Sequence, residues 1–267
     1  MLWLYDLPTW LMGLLIVAAF TALAVAGLYA TRRAVITITG PRPGHNEGVD
    51  AYIAAAAVFY GIVAGLIAVA AWEQFASYDD KVTQEAGTVA MLYRDIATYP
   101  EPYGSRLSEE LRAYTRAVIE GWPLLQHGVV PPQPAALLNT FQTTFYSFDP
   151  KDERERIIHA AAIEEFERMI ELRRLRLHDK DTGLPEALWA VVVIGGILTV
   201  FLTYFLALER FRVHLTMTIV FSILVSLLIF MIAAVDHPFR GGVSIGPDAF
   251  QLVYDQLESE RLTTKRP

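Results

Sequence analysis

Apolar residues in this chain are gathered into four blocks without a single charge, at 10–30, 51–72, 187–208 and 215–235. Each block holds 21 or 22 residues. At about 1.5 Å per residue, each is roughly 32 Å long as a helix, enough to cross a hydrocarbon core of roughly 30 Å. Buried helices of soluble proteins rarely reach that length without a charge. The pattern therefore predicts an all-α integral membrane protein with four transmembrane helices.

The connections sort these helices into pairs. The first two blocks are joined by 31–50, where Pro41, Pro43, Gly44 and Gly48 mark a loop, and the last two by only six residues, 209–214. The expected organisation is a first transmembrane hairpin at 1–72 and an extramembrane helical domain at 73–185. A second hairpin follows at 186–236, then a tail at 237–267.

Within the middle segment, Val82, Ala86, Val89, Tyr93 and Ile96 recur at helical spacing, so the second span is expected to continue as one helix to about Tyr99, where Pro100 and Pro102 stop it. A second helix is expected at 105–126 with Leu107, Leu111, Tyr114 and Val118 on its apolar stripe, ended by Gly128 and the prolines at 131, 132 and 134. A third is expected at 135–148. Asp149-Pro150 reads as N-cap and N1 of a fourth that runs to about Lys180. In the tail, Phe250, Val253, Tyr254 and Leu257 predict a small amphipathic helix over 247–260.

Composition narrows the function classes. The chain of 267 residues is 54% apolar and 19% charged, with a formal net charge of −7, which argues against a nucleic-acid partner. It has no cysteine, so disulfides, thiolate chemistry and cysteine-ligated zinc or iron–sulfur centres are excluded. The six histidines fall without ligand spacing, and His45-Asn46-Glu47 is too small a donor set for a metal site. No phosphate-binding glycine loop, HExxH or GxSxG is present, so neither an enzyme nor a cofactor is expected.

Basic residues set the expected orientation. Arg32, Arg33, Arg42, Arg210 and Arg212 lie in the two short loops and no Lys or Arg precedes the first span. The positive-inside rule thus puts both loops in the cytoplasm and the termini and central domain outside. Arg173, Arg174, Arg176 and Lys180 before the third span pull the other way, and the 13 basic and 19 acidic residues of 73–185 do not decide. The first span reads as a retained anchor, because Arg32 and Arg33 stand where a signal-peptide cleavage site would be.

No ionisable residue lies inside any span, so whatever crosses does so passively. Two features are candidates for a path. Polar residues recur near one face of the third and fourth spans at Gly195, Thr199 and Thr203 and at His214, Thr218, Ser222 and Ser226. They either line a hydrated pore or bond their own or neighbouring helices. On the second span, Phe59, Ile62, Val63 and Leu66 form either a hydrophobic constriction that gates by dewetting or an ordinary lipid or helix contact. The nearby Gly61-x-x-x-Gly65 reads as close packing.

Charge reappears abruptly at Trp72-Glu73 and at Asp236-His237-Pro238-Phe239-Arg240-Gly241, which should lie at the same membrane face. Trp72 suits the interfacial aromatic belt, and Pro238 with the glycines forces a turn. Glu73 and Asp236 are either carboxylates at a cation-attracting mouth of a symmetric oligomer, or an interface marker and a turn cap.

The basic pair after the first span, His45-Asn46, the run from Tyr60-Gly61 to Trp72-Glu73, Leu184-Pro-Glu-Ala-Leu-Trp189 and Asp236-x-Pro-Phe-x-Gly241 together resemble the bacterial bestrophin-like membrane family over nearly the whole chain. The resemblance implies a hairpin, a helical domain and a second hairpin in a homo-oligomer. It also implies kinship to bestrophins, which are pentameric anion channels. The acidic calcium clasp of animal bestrophins is not found in this sequence, so no site is carried over residue by residue. The reading that results is a homo-oligomeric pore for small inorganic ions, a pentamer by the resemblance, in the lipid bilayer of a bacterial plasma membrane. Its alternative is a non-conducting scaffold or sensor whose helical domain binds a protein.

Overall fold

A computed structural model describes residues 4–39, 45–178 and 183–264. Pro41, Arg42, Pro43, Gly44, Lys180 and the side chain of His45, all used in the sequence reading, lie outside the described residues.

Every element is helical: α1 (Thr9–Thr39), α2 (His45–Ile96), α3 (Tyr103–Gln126), α4 (Pro132–Tyr146), α5 (Glu153–His178), α6 (Glu186–Thr203), α7 (Phe211–Val235) and α8 (Asp248–Thr264). Four of these, α1, α2, α6 and α7, are long and apolar enough to cross a membrane. Several boundaries differ from expectation: α6 ends at Thr203, five residues before the end of the apolar block 187–208, and two further differences bear on the connections. The connection after the first span is shorter than 31–50, because α1 runs to Thr39 and α2 starts at His45. The fifth helix starts later than Asp149-Pro150 suggests. Asp152, not Asp149, is its cap: its Oδ1 accepts the Glu155 N–H at 2.8 Å while Glu155 Oε2 reaches back to the Lys151 N–H at 2.7 Å.

The chain divides into two compact units. The first contains α1, the part of α2 up to Phe75, α6, α7 and residues Gly241–Val243. Its core is made by Ala24 and Leu28 of α1, Tyr60, Ala64, Ile67 and Ala68 of α2, Val192 and Val200 of α6, Tyr204, and Val225, Ile229 and Ile232 of α7. Small residues on α2 let it lie close, and the two tyrosines place their hydroxyls on backbone acceptors. Tyr60 donates to Val192 O at 3.1 Å and Tyr204 to Ala24 O at 2.7 Å. In an apolar interior such groups are costly unless paired. The α1 helix packs most extensively on α7, whereas α2 meets α6 through Tyr60, whose ring lies where a Cβ on Gly195 or Gly196 would sit.

The second unit holds the rest of α2 with α3, α4, α5 and α8. Trp122, Tyr114, Phe141, Phe145, Phe166 and Phe250 are completely buried there. Its middle carries a buried ion pair. Arg176 Nε and Nη2 donate to the two Glu85 carboxylate oxygens at 2.7 and 3.0 Å, and the guanidinium lies 5.1 Å from the centre of the Trp122 ring. This bidentate geometry is the one in which arginine holds a carboxylate best.

Candidate functional site

The polar rows on α6 and α7 are interior to the first unit. Thr199, Thr203, Thr218, Ser222 and Ser226 have at most 8% of their surface exposed, and both serines have none. Their hydroxyls turn back on their own helices: Thr199 to Gly195 O at 2.7 Å, Thr203 to Val200 O at 2.6 Å, Ser222 to Ile219 O at 2.9 Å and Ser226 to Ile223 O at 2.9 Å. Ser222 also approaches Thr21 Oγ1 of α1 at 3.4 Å, and His214 Nε2 meets Thr203 O at 3.0 Å. Thr218 Oγ1 is buried without a partner. Within one chain, then, all of these groups except Thr218 bond their own or neighbouring helices.

The candidate residues on α2 are placed differently. Phe59, Ile62 and Leu66 are 72%, 59% and 66% exposed, and a Cβ added at Gly61 or Gly65 would meet nothing within 4 Å. Val63 is partly buried against the core. The helix therefore keeps one face, Tyr60, Ala64, Ile67 and Ala71, against its own chain. The opposite face presents a strip of large apolar side chains left exposed by the described residues. The structure does not bring this strip together with the α6 and α7 rows.

At the other candidate position, Trp72 is 55% exposed and stacks on Phe75 at 5.8 Å, and Glu73 is exposed. Asp236 is the opposite, a buried carboxylate at the end of α7. Its Oδ1 accepts the Leu184 N–H at 2.6 Å, and its Oδ2 accepts the Tyr5 hydroxyl at 2.8 Å and the Trp189 Nε1–H at 3.2 Å. His237 Nδ1 stands 2.9 Å from Oδ2. Burial alone would raise the Asp236 carboxyl; the His237 ring, the Leu184 N–H and the Tyr5 hydroxyl outweigh it and hold the group below the usual carboxylate range. Burial first, then the Asp236 charge, pushes the Tyr5 hydroxyl well above its ordinary value. Gly241 sits at φ +84°, and a Cβ there would lie 3.1 Å from Tyr5 O, so this glycine lets the chain close over the Tyr5 backbone.

In the second unit, Phe239 is buried 6.4 Å from the Trp122 ring and 6.2 Å from Tyr78, and Pro238 O accepts the Ile245 N–H at 2.8 Å. The sequence reading missed Tyr5, Trp189 as a donor to Asp236, and the Glu85–Arg176 pair. Among the described residues, no group of three or more His, Asp or Glu side chains is placed to hold a metal ion.

A sequence profile described as the bestrophin-like domain matches residues 7–250 of the chain. The chain belongs to the bestrophin-like family. It is a membrane protein of that family, and its fold is shared with solved relatives. A mutant bacterial bestrophin homolog from Klebsiella pneumoniae superposes with a TM-score of 0.67 at 11% identity, over 92% of this chain and 98% of that one. A second mutant of the Klebsiella pneumoniae homolog gives 0.54 at 12% identity, over 96% and 99%. A crystal structure described as a mutant membrane protein gives 0.65 at 10% identity, over 92% and 97%. No curated protein matches the chain. At these identities the structural matches carry the bestrophin fold and no residue roles.

Proposed function

We propose that this bestrophin-like protein is the subunit of a homo-oligomeric, passive channel for small inorganic ions, with a pentamer and anions as the first assembly and cargo to test. The observation that carries the proposal is the α2 strip. In a chain that covers its own hydroxyl rows, Phe59, Ile62 and Leu66 stay exposed on the long helix. Copies arranged about an axis would bring these side chains together as an apolar ring. Such a ring conducts when wetted and blocks ions when dry, with no titratable group needed.

In the same proposal, α1 with α2 and α6 with α7 form the two membrane hairpins, and the helices of 73–185 extend the path outside the bilayer. The arginine-bearing loops face the cytoplasm of a bacterial cell and the termini lie outside. Glu73, exposed beside Trp72, sits at the mouth, whereas the buried Asp236 acts as a turn anchor.

A competing reading is a non-conducting scaffold whose helical region binds a protein. The covered hydroxyl rows of α6 and α7 favour it, because they remove one hydrated surface from the account. Flux recording of the purified oligomer in liposomes under a salt gradient separates the two. The channel reading expects a flux that rises in Ile62→Ser and Leu66→Ser and a reversal potential that gives the sign of the ion. No flux from an intact, folded oligomer in either wild type or these variants would select the scaffold.

A further inference from the structure

Four arginines gather where the apolar part of α1 ends and α7 begins. The Arg32 guanidinium lies 4.2 Å from the centre of the Phe211 ring, and Tyr29 packs edge-on against the same ring at 5.0 Å. Arg33 follows Arg32 on α1, and Arg210 and Arg212 flank Phe211; these three are exposed. Among the described residues none of the four forms an ion pair. The carboxylates closest in sequence to the loop and to the start of α2, Glu209 and Glu47, are themselves exposed.

Arg32 is the unusual member. Its Nη1 is buried and has no hydrogen-bond partner among the described residues. Leaving a covered, charged donor unmatched costs about 1–3 kcal/mol or more. The start of α7 is also bare: no side chain caps it at Arg210 and its first turn has no acid. The partial positive charge of the helix start therefore adds to the guanidinium charges instead of being cancelled.

We infer that this corner binds the phosphodiester headgroup of an anionic glycerophospholipid. Arg32 is held in place by the Phe211 ring as the half-buried member of the cluster, and the exposed Arg33, Arg210 and Arg212 supply the long-range attraction. The position fits a lipid and not a dissolved anion. Both Arg32 and Phe211 sit at the ends of apolar runs, at headgroup depth, where Tyr29 and Phe211 offer an apolar wall to the glycerol and upper acyl carbons. Guanidinium groups bind phosphate oxygens two at a time, and each basic residue near an anionic surface adds about 1 kcal/mol.

The test is native mass spectrometry of the purified full chain, titrated with equal amounts of phosphatidylglycerol and phosphatidylcholine, with a parallel arm of inorganic phosphate. Wild type should retain phosphatidylglycerol in preference to phosphatidylcholine. Retention should fall about fivefold for each arginine removed, in Arg32→Gln and in the exposed pair Arg210→Gln with Arg212→Gln, and remain unchanged in Arg156→Gln on α5. The exposed pair keeps the test informative if Arg32→Gln lowers folding yield. Equal retention in all variants, equal uptake of both lipids, or thermal stabilisation by inorganic phosphate without lipid preference would each overturn the inference.

Discussion

The Tyr5 hydroxyl donates to Asp236 Oδ2 at 2.8 Å, although 231 residues separate the two. This bond ties the segment before α1 to the end of α7, and the Leu184 N–H and Trp189 indole bring the start of α6 to the same carboxylate. Hydrogen bonds to a charged acceptor contribute about 1.5–3 kcal/mol each. Tyr5→Phe and Asp236→Asn should each lower the thermal midpoint of the detergent-purified protein. The double variant should lose clearly less than the sum, because the two residues share one interaction.

The same pair sets a pH window. The Asp236 carboxyl is held below its unfolded value, so its contribution is complete above about pH 4 and is lost as pH falls through the folded value. The Tyr5 hydroxyl is held above its unfolded value, so its contribution is complete below about pH 10 and is lost as pH rises beyond that. The contribution of this pair to the melting midpoint should therefore be flat between these limits and fall at both ends. Tyr5→Phe should weaken the alkaline fall and Asp236→Asn the acid fall. An alkaline limb unchanged in Tyr5→Phe would assign it to another tyrosine.

Glu85 and Arg176 form the one fully buried carboxylate–guanidinium pair among the described residues, with side chains 0% and 5% exposed. Removing either partner leaves an uncompensated buried charge, at a cost of about 3–5 kcal/mol. Glu85→Leu or Arg176→Met alone should impair folding, measured as monodisperse yield and melting midpoint. Their combination should recover most of the loss. A double variant as poor as either single one would show that the pair fixes the fold in a way apolar packing cannot replace.

The four helices long and apolar enough to cross a membrane were legible because such a helix needs an uninterrupted apolar run, which the sequence states at 10–30, 51–72, 187–208 and 215–235. The α5 start was misplaced because Asp149-Pro150 and Asp152 both satisfy the local cap chemistry, and only the reciprocal bonds of Asp152 and Glu155 separate them. Spacing placed Ser222 and Ser226 on one face of α7 but could not say whether that face meets water or another helix, because periodicity carries no information about the neighbour. The Glu85–Arg176 pair did leave a signal. Glu85 falls among Val82, Ala86 and Val89, and Arg176 continues the buried series Phe166, Met169 and Leu172. A charge on an apolar stripe in each of two helices is the mark of a buried partner. Tyr5 left none, since nothing local distinguishes it from any interfacial tyrosine.

Gly27 is fixed by its neighbour. A Cβ there would lie 2.6 Å from Tyr204 Oη, and that hydroxyl is anchored to Ala24 O at 2.7 Å, so it cannot swing away without losing a buried hydrogen bond. Gly27→Ala should cost about 1–3 kcal/mol through overpacking, seen as a lower melting midpoint. Adding Tyr204→Phe should restore part of it. No restoration would mean that the ring carbons, 2.9 and 3.0 Å from the same point, carry the clash.

The last prediction separates the two surfaces proposed for the ion path. Ser222 is completely buried and its hydroxyl donates to Ile219 O, so Ser222→Ala removes that local bond and the 3.4 Å contact with Thr21 Oγ1, and should leave ion flux and reversal potential unchanged. Ser222→Leu forces three extra carbons into a filled space and should lower stability by about 1–3 kcal/mol. Leu66 is 66% exposed on the free face of α2. Leu66→Ser therefore leaves the fold of one chain intact and should act only where copies meet, raising flux by wetting the apolar ring. A flux that responds to Ser222→Ala and ignores Leu66→Ser would move the conduction path from the oligomer axis into the helix bundle of the single chain.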